Sequence, residues 1–381
     1  MNLIVKLVLG IIAGFLIGMY APILMVEVIY TAKVLIGELI GFTIPLIILF
    51  FITSGIASLP QNSGSLLGKT VGFAYGSTLI AGTLAYLIAS LLIPSLGGQL
   101  SFDSQSATEV HALLSVEIPP LMGVMTALVT AFVFGIAISN RGLDNLKVIS
   151  DQGRDVIDAL LSKVIIPALP FYIAGVFAEM TVAGTVFDTL KTFALVLVMA
   201  LTLHWLWLTV LYVATGIALK RNPLELIKNM LPAYFTALGT MSSAATIPVS
   251  LQSSKNNQVK EPIANFCVPL CATIHLSGST ITIVTCATAV MFLSPDLALP
   301  TLAGMLPFIF MLGVVMIAAP GAPGGAVMSA LGLLTTMLGF NEAAIALMIA
   351  LYLAQDSFGT ACNVTGDGII ALWVDKFSQS K

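Results

Sequence analysis

The chain has 381 residues, 58% of them hydrophobic and only 9% charged, with a mean hydropathy of +1.04 and a formal net charge of −3. No soluble domain needs that much apolar surface, and a near-neutral chain with no basic block and no acidic tail is not built for nucleic acid. The composition is that of a polytopic integral membrane protein.

In chain order, apolar segments at about 3–30, 34–58, 71–97 and 118–139 predict four helices. The first is too long for the core of a signal peptide and lacks an A-x-A-like site, so it reads as a span. Residues 98–117 form a polar loop, and the charged, amphipathic stretch 140–163 suits a cytoplasmic interface. Two more spans follow, at about 158–180 and 188–218, and then the charged "KRNPLELIKN". With the N-terminus in the cytoplasm, thirteen lysines and arginines fall inside and only Lys33 and Lys191 outside. That split follows the positive-inside rule and places both termini in the cytoplasm.

The last 150 or so residues do not fit simple spans. An apolar run at 303–318, the glycine- and proline-rich "APGAPGG" and a second run at 326–340 follow one another. Each arm reaches only about 23–24 Å, short of a hydrocarbon core of roughly 30 Å. A helical hairpin that enters and leaves by one face satisfies this pattern. The stretch 230–258 behaves likewise around "GTMSSAATIP", with Pro248 expected to break the run. The order is therefore hairpin (230–258), span (about 261–293), hairpin (300–340) and span (341–375), with the two units inverted. Paired interrupted segments of this kind point to a transporter site at mid-membrane.

The last span carries the chemistry. At about 100° per residue, Asp356, Thr360, Asn363 and Asp367 fall on one stripe about 60° wide. Ionisable groups in a span mark substrate or ion pathways. Eleven residues make about 16 Å of rise, so the two carboxylates serve two sites and do not share a proton. That spacing argues against the rival reading, an intramembrane aspartyl protease prompted by "TGDG", which needs two carboxylates close together on different helices. In the first hairpin, Ser242, Ser243 and Thr246 offer hydroxyls beside a half-helix N-terminus that favours an anion. In "CATIHLSGSTITI", Gly278 with Ser277, Ser279 and Thr280 is placed to unwind a span and bare carbonyls for a cation. The four cysteines (Cys267, Cys271, Cys286, Cys362) lack CxxC spacing and read as packing residues, and His111, His204 and His275 are scattered.

Four motifs, "TMSSAATIP", "TIHLSGS", "APGAPGGAV" and "QDSFGTACNVTGD", give the chain a resemblance to the dicarboxylate/amino acid:cation symporters, across essentially its whole length. The resemblance implies an all-α fold of eight transmembrane helices and two re-entrant hairpins, a homotrimer, and an elevator mechanism in a cell inner membrane. It implies a scaffold within 1–220, with the third and sixth helices (about 71–97 and 188–218) going with a transport domain whose core is 221–381. By the same resemblance Asp356 binds a substrate amino group, Thr360 and Asn363 assist, and Ser243 with Met241 and Ser242 holds the α-carboxylate. Ser279, Pro323, Gly324 and Gly359 complete the substrate set, with residues 320–325 as gate. One sodium ion is assigned to Asp367 with Asn363, Cys271 and His275. A second goes to Thr273 with Ala318, Ala319 and Gly321, and the hydroxyls of a third, whose family aspartate this chain lacks, would come from Ser77 and Thr78.

Three departures refine this. Acidic-substrate carriers have an arginine where this chain has Gly359, and the archaeal type has a further one where it has Met241. A buried acidic side chain would then lack its guanidinium, at a cost of several kcal/mol. The family's "NMDGT" is "HLSGS" here, so His275 and Ser277 replace asparagine and aspartate. The resemblance, so modified, implies sodium-coupled symport of a neutral amino acid such as serine, threonine or alanine. Alternatives are a larger substrate such as cystine, a dicarboxylate, proton coupling through His275, or an anion conductance.

Overall fold

The computed structural model of the protein describes residues 3–58, 64–97, 110–294, 296–317, 319 and 323–378. Its regular structure is all helical. The first part comprises α1 (Leu3–Tyr20), α2 (Ile23–Ala57), α3 (Gly64–Gly97), α4 (Val124–Arg141), α5 (Asp144–Leu160), α6 (Ile166–Val182) and α7 (Val186–Leu219), with a π turn over Leu161–Ile165. Then come α8 (Pro223–Thr240), α9 (Ser243–Asn256), α10 (Glu261–Ile274), α11 (Ser277–Leu293), α12 (Leu302–Met316), α13 (Gly325–Leu338), α14 (Glu342–Leu353) and α15 (Asp356–Ser378). Among the described residues, six helical stretches (α2, α3, α4, α5–α6, α7 and α10–α11) are long and apolar enough to cross a membrane, and the bent pair α14–α15 would make a seventh.

The chain breaks where backbone chemistry demands it, and several breaks differ from the expected ones. The first two helices part at Ala21–Pro22, not at residues 31–33, because the residue before a proline is pushed out of the α region. Lys33, expected in an outside loop, therefore lies inside α2, buried and paired with Glu179 of α6 at 2.8 Å. The first hairpin turns at Met241, which is left-handed (φ 55°), and Ser242, whose Oγ accepts from Ala245 N to cap α9. Pro248, expected to be the break, sits inside α9.

The span after it unwinds at His275 and Leu276, two residues before Gly278, which is already helical in α11. The last segment is not one straight span: it bends by 60° between α14 and α15 at Ala354–Gln355. Gly324, left-handed at φ 76°, starts α13 at the tip of the second hairpin.

Two packing groups result. Helices α1, α2, α4, α5 and α6 pack on one another, with Gly10, Gly14 and Gly18 letting α1 lie directly on the α6 backbone. Around α15 gather α7, α8, α9, α10 and α11, with α3 against α11 and α12. Protein rather than lipid surrounds the middle: 94% of the most apolar window in α10–α11 is buried. Non-helical backbone at His275–Leu276 is tolerable in such a setting because the protein itself lines it.

Candidate functional site

The polar residues of α15 face this interior. Asp356, Thr360, Asn363 and Asp367 are each no more than 5% exposed. Carboxylates so buried are costly unless partnered, so their partners decide what each does. Asp356 stands in the first turn of α15, where the helix dipole favours a negative charge. Its Oδ2 accepts a 2.6 Å hydrogen bond from Gly324 N, which ties the tip of the second hairpin to the start of α15. The buried Tyr352 ring lies beside Asp356 and Ser279. Thr360 turns its hydroxyl back, donating to the Asp356 carbonyl at 2.8 Å.

Asp367 has a different environment. Its Oδ1 is 2.8 Å from His275 Nδ1, and His275 Nε2 is 2.9 Å from Ser77 Oγ of α3. An ionised carboxylate only accepts, so Nδ1–H is the donor to Asp367, while the direction of the Nε2–Ser77 Oγ bond follows from the charge of the ring. The imidazole is fully buried on the unwound turn, where Cys271 O accepts the His275 N–H at 2.9 Å. Gly366 gives the ring its space, since a Cβ there would stand 2.7 Å from Cε1.

Between the two carboxylates, Asn363 acts as a cap supplied from another helix. Its Oδ1 accepts from Gly278 N (2.7 Å) and Ser279 N (3.1 Å), and its Nδ2 donates to Ser279 Oγ at 2.9 Å. Leu276, at the N-cap position of α11, has no side chain able to do this. Here α15 crosses α11 glycine on glycine. A Cβ on Gly278 would lie 2.4 Å from Gly359 O, and one on Gly359 would lie 3.1 Å from Thr282 Oγ1. His204 of α7 closes the crossing from behind, its Nε2 3.1 Å from Gly278 O and 3.0 Å from Thr282 Oγ1.

The structure thus brings Asp356, Gly324, Thr360, Asn363 and Ser279 together on one side, and Asp367, His275, Cys271 and Ser77 on the other. Met241 and Ser243 are buried at the turn of the first hairpin, on a helix pair that packs against α15. Thr78 Oγ1 donates back to Ala74 O, and exposed Thr273 donates to Leu270 O. Ala319 is buried and Pro323 partly so, while Ala318 and Gly321 lie outside the described residues. His204, Gly366 and Tyr352 were missed as parts of the site. Only Gly366, next to Asp367 in the quoted motif, had a local signal.

Among known proteins, the model of the sodium:dicarboxylate symporter family matches residues 3–377. The chain belongs to that family. A curated relative, the serine/threonine transporter SstT of Acinetobacter baylyi, is 26% identical over 403 aligned positions, covering 100% of this chain and 98% of that protein. Like other sodium:dicarboxylate symporters, the protein is a multi-pass membrane transporter, a cation-coupled symporter and not an enzyme. Asp356 and Asp367 lie on the same helix of this symporter, which removes the geometry an aspartyl protease would need.

Proposed function

We propose that the protein carries a neutral amino acid, with serine, threonine or alanine favoured, together with sodium. It works as a homotrimer by an elevator motion, with eight spans, two re-entrant hairpins and both termini in the cytoplasm of an inner membrane. The observation that carries the substrate reading is Asp356, a buried carboxylate whose described hydrogen-bond partners include no arginine or lysine. An ammonium group is the natural counterpart of such a carboxylate.

The amine replaces the Gly324 N–H at Asp356, so substrate binding and the position of the second hairpin tip are linked. The α-carboxylate takes the N-terminus of α9 at Ser243, where unsatisfied N–H groups and the dipole favour an anion. At the far end, Gly359 is packed against Gly278 and Thr282. Neither an arginine nor the extra volume of cystine has an evident place at that crossing. A relative described as a serine/threonine transporter is consistent with this reading.

Uptake into proteoliposomes under an inward sodium gradient tests the proposal. Serine should outcompete aspartate, and Asp356→Ala should abolish uptake. Efficient aspartate transport would overturn it.

A second reading of the coupling ion has its own observation. The Asp367–His275–Ser77 chain puts an imidazole where a sodium ion was expected to meet the carboxylate. That contact supports a reading in which the coupling ion is a proton carried through His275. It predicts uptake driven by a pH gradient without sodium, lost in His275→Asn; dependence on sodium alone would reject it.

A further inference from the structure

A cavity of about 550 Å³ shares no lining residue with the polar site. One wall is formed by α2 (Glu38, Ile44), α6 (Tyr172) and the chain before α4, and the other by Phe340, Glu342 and Ile345 at the junction of α13 and α14. The volume falls in the roughly 300–1,000 Å³ range of small-molecule sites. Its walls are mostly apolar, with two carboxylates among them. Glu38 is half-buried, and its Oε2 accepts from Ile118 N at 3.0 Å. Glu342 stands in the first turn of α14. Neither forms an ion pair with a basic residue among the described residues, and Lys33 of the same helix as Glu38 is paired with Glu179 at 2.8 Å. The lining holds no lysine, arginine or histidine. Glu342 is exposed and Glu38 half-buried, so the two carboxylates give the apolar cavity a negative rim that attracts a cation.

We propose that this cavity binds a cationic amphiphile, a long alkyl chain ending in a primary amine. The chain fills the apolar walls and the ammonium group sits between Glu38 and Glu342. Charge decides the class: a lipid phosphate or a fatty-acid carboxylate would be repelled by the same two groups. Helices α13 and α14 join the group around α15 through α11 and α12, so the walls come from both packing groups, and an occupant joins α2 and α6 to α13 and α14. Inhibition of uptake rests on the proposed motion of one group past the other, whereas binding does not.

The test uses the full chain in lipid nanodiscs with a dodecylamine carrying a photoreactive group on its alkyl chain. Adducts should map to α2 and to the α13–α14 junction, and be displaced by dodecylamine but not by dodecanol or dodecyl sulfate. The double variant Glu38→Gln, Glu342→Gln should lower labelling roughly tenfold, because it removes both charges that attract the ammonium group. The new amide oxygen at position 38 can still accept from Ile118 N, so the fold at that point is kept. Labelling unchanged in that variant, equal displacement by dodecanol, or adducts confined to lipid-facing residues such as Leu9 and Ile12 would overturn the proposal. In a parallel uptake assay dodecylamine should lower the maximal rate without raising KM for the amino acid. Mapped binding with full uptake would instead reject the motion and leave the site standing.

Discussion

Asp356 and Asp367 lie about 16 Å apart along one helix and are held in unlike ways. Asp356 accepts from a backbone N–H at a hairpin tip, the partner that the proposed substrate ammonium would replace. Asp367 is bonded to a side chain seated against Gly366. Gly366→Ala should push the imidazole off Asp367, because its Cβ would be 2.7 Å from the ring. The expected outcome is altered cation dependence with retained amino-acid binding, read as sodium and pH titrations of uptake beside a binding isotherm. Gly359 has a comparable constraint. Gly359→Ala forces Thr282 Oγ1 to yield from 3.1 Å, an overpacking change expected to cost about 1–3 kcal/mol and lower the melting temperature in detergent. On the same ground, Gly359→Arg alone should not create aspartate transport, which a competition assay checks.

At the scale of elements, the interrupted helices are held by caps borrowed from one another. The N-terminus of α11 has no cap of its own and depends on Asn363 of α15. Asn363→Ala would leave two buried N–H groups without a partner, at about 1–3 kcal/mol each. Faster amide exchange at the start of α11 than in the middle of α15 would confirm this, and uniform protection would refute it. The helices α9, α12 and α14 differ in that Ser242, Thr301 and Asn341 cap them locally. Each of those should lose about 0.5–2 kcal/mol on change to alanine. The local caps depend on neighbours in sequence, whereas the cap on α11 exists only once α15 has docked.

For the whole molecule, the contact between the two packing groups is tight at Gly332 of α13, where a Cβ would stand 2.6 Å from Val124 Cγ1 of α4. A Val124→Cys, Gly332→Cys pair is thus well placed for a disulfide. If α13 moves past α4 during transport, oxidation should stop uptake and dithiothreitol should restore it. Uptake that survives complete cross-linking would exclude that motion. The four native cysteines are buried and free, so the parent chain under the same oxidant is the control, and its uptake should be unchanged.

Membrane class, helical content and the polar stripe of α15 were legible in the sequence because each depends on local composition or on the 3.6-residue period. The glycine- and proline-rich "APGAPGG" likewise announced the interruption between α12 and α13. The exact breaks were less legible. Pro248 is accommodated inside α9, while a left-handed Met241 and the cap from Ser242 turn the chain earlier. What only the tertiary structure decided is how residues distant in sequence meet. His275 reaches Asp367 across 92 positions, Asn363 caps Gly278 across 85, and Gly359 closes on Gly278 so that its missing side chain is a packing requirement. Periodicity says which face of a helix is polar. It does not say which other helix will present the partner, because that depends on the docking of whole elements.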